Sequence, residues 1–130
     1  MKTNKQNVPV KIDTPDAIAR QQEGFGDAGE YGELGGEYFT FAAGTDITPL
    51  LNGLEDNLCQ CPHWGYVLSG TLTASYSDGH EEVTETGDLF YWPPGHTIRA
   101  NDDSEIVMFS PQDEHTAVIN HIREKVEESA

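Results

Sequence analysis

The sequence predicts an all-β domain, an antiparallel sandwich or barrel, followed by one C-terminal helix. Three observations carry this. Short runs rich in aromatic and branched residues recur between residues 37 and 109. Tight-turn residues separate them (Ser69-Gly70, Asp78-Gly79, Gly87-Asp88, Pro93-Pro94-Gly95), with none of the intervening helices a parallel βαβ fold requires. Beyond Pro111 the apolar spacing changes to a helical period, with Val118, Ile122 and Val126 four apart and Ile119 widening the stripe.

The elements follow in order. Residues 1–36 are polar and end Gly-rich; they read as an N-terminal extension, mobile at its start and wrapping loosely on the domain, with one short helical turn at Thr14-Pro15-Asp16. The barrel occupies 37–111. Its first strand is Glu37 to Ala42, followed by an apolar cover segment from Ile47 to Leu54 that Pro49 and Gly53 interrupt. Further strands run Trp64–Leu68, Thr71–Tyr76, Glu81–Thr84, Leu89–Trp92, Thr97–Ala100 and Glu105–Phe109. Asp78-Gly79 forms a hairpin turn because both residues tolerate positive φ. Ser110-Pro111 starts the helix of 112–130, and Asp113 and Glu114 place negative charge in its first turn. His115 and His121 read as surface or capping residues, and His80 as solvated beside a hairpin tip.

The 130 residues suit one domain, large enough to bury a core without covalent staples. Seven Lys+Arg against 23 Asp+Glu give a net charge of −16, and the cations are scattered. Such a surface repels phosphate backbones and anionic membranes, so neither nucleic acid nor membrane is an expected partner. The acidity serves solubility or adaptation to a salty cytoplasm. No apolar run approaches the roughly 20 residues of a membrane span, and the N-terminus lacks a signal-like apolar region, so a cytoplasmic location with reduced cysteines is expected.

The chemistry is concentrated in Asn57-Leu-Cys-Gln-Cys-Pro-His-Trp-Gly65. On an extended strand Cys59, Cys61 and His63 share one face. Two thiols and an imidazole suit a soft divalent ion, zinc before nickel or iron. Same-face neighbours are about 6.8 Å apart and the outer two about 13 Å, so one ion can hold all three only where the strand bends. Pro62, which cannot donate to a ladder, supplies a place for a bend. Buried or reactive thiols without metal, and a disulfide, stand as alternatives.

Gly87-Asp-Leu-Phe-Tyr-Trp-Pro93-Pro-Gly95, together with Gly70, resembles the two signature motifs of the cupins. The second motif matches at Gly87, Pro93 and Gly95; its histidine position falls on Ile98, with His96 two residues earlier on the same strand parity. Counting back from Gly70, the first motif's glutamate position is His63 and its histidine positions are Asn57 and Cys59. The family's three-histidine-plus-glutamate set is therefore absent. The stretches C-x-C-P-H-W-G and P-P-G-H-T are similar to those of a group of small single-domain cupins. The resemblance covers about residues 37–111 and implies a double-stranded β-helix (jelly-roll barrel), often dimeric, with ligands facing the interior. On that pattern the metal ligands are Cys59, Cys61, His63 and His96, with His63 at a ligand position by spacing.

The function expected from these readings is a metal-binding cupin that acts on or senses a small molecule inside the barrel, assembled as a homodimer. Trp64, Tyr66, Tyr91 and Trp92 are the expected pocket lining, and His96 or Tyr66 could move protons in a catalytic form. The alternatives are a metal-free ligand-binding or sensor module, and a structural dimeric protein whose helix docks a partner.

Overall fold

Alternation along the strands determines what the barrel encloses. In β3 (Leu34–Phe41) the side chains of Glu37, Phe39 and Phe41 are buried. In β9 (Ser104–Pro111) Ser104, Ile106, Met108 and Ser110 point inward, and in β4 (His63–Ser69) His63 and Val67 do. These strands belong to a six-stranded antiparallel sheet of order β1-β2-β3-β9-β4-β7, where β7 is Leu89–Trp92. A three-stranded sheet faces it, β6 (Glu81–Glu85), β5 (Thr71–Tyr76) and β8 (His96–Ala100) in that order. Val67, Leu72, Ala74, Ile98, Ile106 and Met108 fill the space between the sheets as one apolar core. This computed structural model describes residues 1–128; positions 129 and 130 of the predicted helical segment lie outside the described residues. Two packed antiparallel sheets with a C-terminal helix make a jelly-roll barrel: the strand spacing predicts an antiparallel sandwich or barrel, and the cupin resemblance implies the jelly roll.

The N-terminal segment departs from expectation. It does not wrap loosely: β1 (Val10–Asp13) and β2 (Ala17–Gln22) pair antiparallel, and β2 continues the ladder onto β3 from Ala17↔Phe41 to Gln22↔Gly36. The cause is the alternation of Ile12, Ala19 and Gln21 into the interior. Thr14-Pro15-Asp16 is the turn of this hairpin, not a helical turn. Thr14 Oγ1 accepts the backbone N–H groups of Asp16 and Ala17 at 3.2 and 3.0 Å, which closes the reversal.

Gly70 joins β4 to β5 with φ +93°, and a Cβ there would lie 2.2 Å from Ser104 Oγ, so only glycine fits. The helix α1 (Gln112–Glu128) packs its stripe of Val118, Ile119 and Ile122 on the barrel beside Leu51 of the cover segment. It starts at Gln112, directly after Pro111, the last residue of β9. Ser110, next to last in β9, turns its hydroxyl inward.

Candidate metal centre

The chain bends before β4, as one ion shared by this segment requires. Cys59 is not part of a continuous strand but forms an isolated antiparallel bridge with His96, the first residue of β8. Its N–H donates to His96 O at 2.9 Å, and its carbonyl accepts from Gly95 N–H at 2.8 Å. Regular pairing resumes at His63, opposite Trp92. Cys59 Sγ thereby comes 3.6 Å from His63 Nε2, far closer than a straight strand allows. Cys59, His63 and His96 each place a donor atom within 4.8 Å of the others, and all three are buried. Cys61 is buried too, but its sulfur lies 3.5 Å from Pro62 O and 3.9 Å from Pro111 O. Among the described residues it falls outside this group.

Hydrogen bonds determine which imidazole nitrogen each histidine presents. Ser110 Oγ donates its single proton to Glu37 Oε1 at 2.7 Å, so it accepts from His63 Nδ1–H at 2.6 Å. Nε2 of His63 is left as a bare lone pair facing Cys59. In His96, Nδ1–H donates to Pro93 O at 2.7 Å, because a carbonyl only accepts, and Nε2 is again bare. Outer partners of this kind fix tautomer and ring orientation in metal sites.

Behind His63 lies a second buried group. Glu37 has no exposed surface; its Oε2 accepts from His115 Nδ1 and from Gln21 Nε2, the latter at 3.4 Å. Glu37, His63 and His115 also place donor atoms within 4.8 Å of one another. The His115 ring stacks on Phe39 at 5.7 Å and lies against His63 at 4.3 Å between centroids. His115 is therefore no surface or capping residue. It lies three and four positions before Val118 and Ile119, on the helix's apolar stripe, and that spacing was the available signal. Glu37 shares inward parity with Phe39 and Phe41, the corresponding signal on β3. His121 caps no helix either: it lies half-buried in the middle of α1, its Nε2 donating to Asn52 O of the cover segment at 2.7 Å.

Burial sets the proton states. It lowers His96 to about 4, partly offset by the bond to Pro93, and holds His63 well below the usual imidazole range. It pushes the Cys59 thiol up to about 11, with the nearby Glu37 adding to the rise, and pushes Cys61 higher still. At neutral pH the site thus presents two neutral imidazoles and a thiol.

The expected aromatic lining is corrected in three of four positions. Trp64, Tyr66 and Tyr91 are 47%, 39% and 48% exposed. They alternate with the inward His63, Phe90 and Trp92, so strand parity places them on the outer face. Trp92 alone is buried, with its ring 6.4 Å from His63 and 6.0 Å from His96, and its indole N–H has no acceptor among the described residues. Of the family's other ligand positions, Asn57 is exposed and accepts from Gly53 N–H, and Ile98 belongs to the core.

A cavity of about 750 Å³ opens between β1–β3, the cover segment and α1, walled by Ile12, Ala19, Phe39, Phe41, Leu50 and Ile122. Asp16 and Asp46 border it, and among the described residues no Lys or Arg does. Phe39 joins this cavity to the buried group through its stack on His115.

No family model matches the sequence, and no curated protein matches it. Solved structures do. Ectoine synthase from P. lautus superposes with a TM-score of 0.59 at 17% identity, covering 86% of this chain and 77% of that one. The polyketide cyclase RemF from Streptomyces resistomycificus gives 0.57 at 14%, covering 85% and 78%. An RmlC-like cupin from Shewanella frigidimarina gives 0.53 at 17%, covering 84% and 88%. The fold is that of the cupins. Among the described residues no helix is long and apolar enough to cross a membrane.

Proposed function

We propose that this cupin-fold chain holds a divalent ion on Cys59, His63 and His96 and uses it on a small molecule. The observation that carries this reading is the pair of bare Nε2 atoms, each fixed by a hydrogen bond at Nδ1, grouped with one sulfur within 4.8 Å. One thiolate and two imidazoles suit zinc first, with nickel and iron as the alternatives. When bound, such an ion supplies Lewis acidity or an activated water at a position that three protein ligands leave open. Cys61, the fourth ligand expected from the sequence, has its sulfur against two carbonyls, which supports an open site over a closed structural one.

The chain's own residues do the rest. Ser110 and Pro93 O hold protons at Nδ1 of the two histidines, and Cys59 gives up its thiol proton on binding. The Trp92 indole N–H can donate to an acceptor on the bound molecule. A separate cavity beside Phe39, lined by neither the three ligand residues nor Trp92, accommodates an apolar molecule, and its border of Asp16 and Asp46 disfavours an anionic one. Two of the structural neighbours are named for synthesis and cyclisation of small molecules, in keeping with this reading. A cytoplasmic homodimer belongs to the same proposal.

Elemental analysis of protein purified without a metal-affinity tag tests it. About one ion per chain is expected, falling below about a tenth in Cys59→Ala. A wild-type protein that carries less than about a tenth of an ion and takes up no added zinc would overturn the metal site in favour of the metal-free binding module.

A further inference from the structure

The cavity beside Phe39 exists because β2 carries small side chains where its neighbour carries large ones. Ala17 and Ala19 pair with Phe41 and Phe39 in the ladder, and their single methyl groups leave open the space toward Ile122 of α1. Ile12, Phe39, Phe41 and Ile122 each keep 7–8% of their surface accessible on its walls, whereas Val67, Leu72 and Ile106 between the sheets keep none. The walls are thus apolar and unsealed. At about 750 Å³ the cavity has the size of small-molecule pockets, about 300–1,000 Å³.

Its polar border has one sign of charge. Thr45 Oγ1 donates to Asp16 O at 3.2 Å, so the β1–β2 turn meets the loop that carries Asp46. Asp46 Oδ1 accepts from the N–H and hydroxyl of Thr48 at 2.9 and 2.6 Å. Asp16 is tied into its turn by the backbone, its N–H donating to Thr14 Oγ1 and its carbonyl accepting from Ala42 N–H at 2.8 Å. Arg99 bridges Asp46 through the backbone, but its guanidinium is held by Glu81 at 2.7 Å.

We propose that this cavity binds an amine with an apolar body, its hydrocarbon against Phe39 and Phe41 and its ammonium at Asp16 and Asp46. Apolar walls favour any hydrocarbon, and the two carboxylates select the cation among molecules of equal shape. An alkylammonium, which titrates near about 10 as lysine does, carries that charge at neutral pH. The inference rests on the reading of this cavity as a small-molecule site and is independent of the ion.

Titration calorimetry on the full chain with butylamine, hexylamine, octylamine, octanol and octanoate tests it. Octylamine is expected to bind saturably, about fivefold tighter than octanol, with octanoate weakest. Amine affinity rises about fourfold per methylene, the worth of one buried CH₂, whereas general attraction to a chain of net charge −16 gives no such rise. Asp16→Asn brings octylamine to within about twofold of octanol and leaves octanol unchanged. Ala17→Leu fills the cavity and weakens both by about tenfold or more. Cys59→Ala leaves octylamine binding unchanged. Octylamine that fails to bind below about 1 mM, shows no dependence on chain length, or binds no tighter than octanol would overturn the proposal, the last outcome leaving an apolar ligand in place. Unchanged amine binding in a folded Ala17→Leu protein overturns it too, and so does loss of binding in Cys59→Ala, which would put the amine on the ion. Where Ala17→Leu does not fold, an amine preference untouched by Asp16→Asn overturns it.

Discussion

Nδ1 of His63 lies 2.6 Å from Ser110 Oγ, and this contact determines which nitrogen His63 turns toward Cys59. Ser110 spends its one proton on Glu37, so the imidazole must donate. A small hydroxyl at the end of β9 thereby orients a candidate ligand on β4 and links it to a carboxylate on β3.

Ser110→Ala removes that orientation. Zinc affinity, measured by competition with a chelator, is expected to fall about 10- to 100-fold. His63 Nδ1–H and Glu37 Oε1 lose their shared partner in a dry interior, and denaturant unfolding of the metal-free protein should show a loss of about 1–3 kcal/mol.

Zinc binding should release one proton per ion at neutral pH. The Cys59 thiol, pushed up to about 11 by burial, is protonated there, whereas His96, lowered to about 4, is already neutral. Affinity should rise about tenfold per pH unit between about pH 6 and 9. Titration calorimetry in buffers of different ionisation enthalpy reads the proton count. Cys59→Ala should abolish binding, whereas Cys61→Ser should keep it.

The stability of the metal-free protein should fall on both sides of neutrality. His96 is depressed on folding, so its contribution is full above about 6.5 and lost as pH falls toward about 4, where the unfolded chain binds the extra proton. His63 acts in the same direction. Cys59 is raised on folding, so its contribution is full below about 9 and lost as pH rises toward about 11. Urea unfolding across this range should show both limbs, with the acid limb flattened in His96→Gln and the alkaline one in Cys59→Ala.

His115→Leu leaves the Glu37 carboxylate buried without its principal partner and should cost about 3–5 kcal/mol. Adding Glu37→Gln should recover part of that loss, because the charge is removed together with its partner. A double-mutant cycle by chemical denaturation measures the coupling.

Much of the barrel was legible in the sequence. The runs from Glu37 to Phe109 and the turns between them are local signals, and each strand appears within two residues of its expected bounds except β3, which starts three residues early at Leu34. The N-terminal hairpin was not legible. Val10–Asp13 and Ala17–Gln22 are short and half polar; β2 becomes a strand on the open edge of β3, and β1 then pairs on β2. The position of Cys59 was legible only as a condition, since nothing local says whether a chain bends at Pro62. Trp64, Tyr66 and Tyr91 were assigned to a pocket by composition, whereas the parity of His63 and Trp92 sends them outward.

The sequence by itself determined the turns, the alternation and the helix period, because these depend on residues a few positions apart. It also placed Cys59, His63 and His96 as candidate ligands. Only the tertiary structure decided that Glu37, His63, Ser110 and His115 meet, for they come from β3, β4, β9 and α1 and lie up to 78 positions apart. It likewise separated Cys61 from the group. The direction of a side chain after a bend depends on what packs against it, and that is set by strands and a helix distant in the chain.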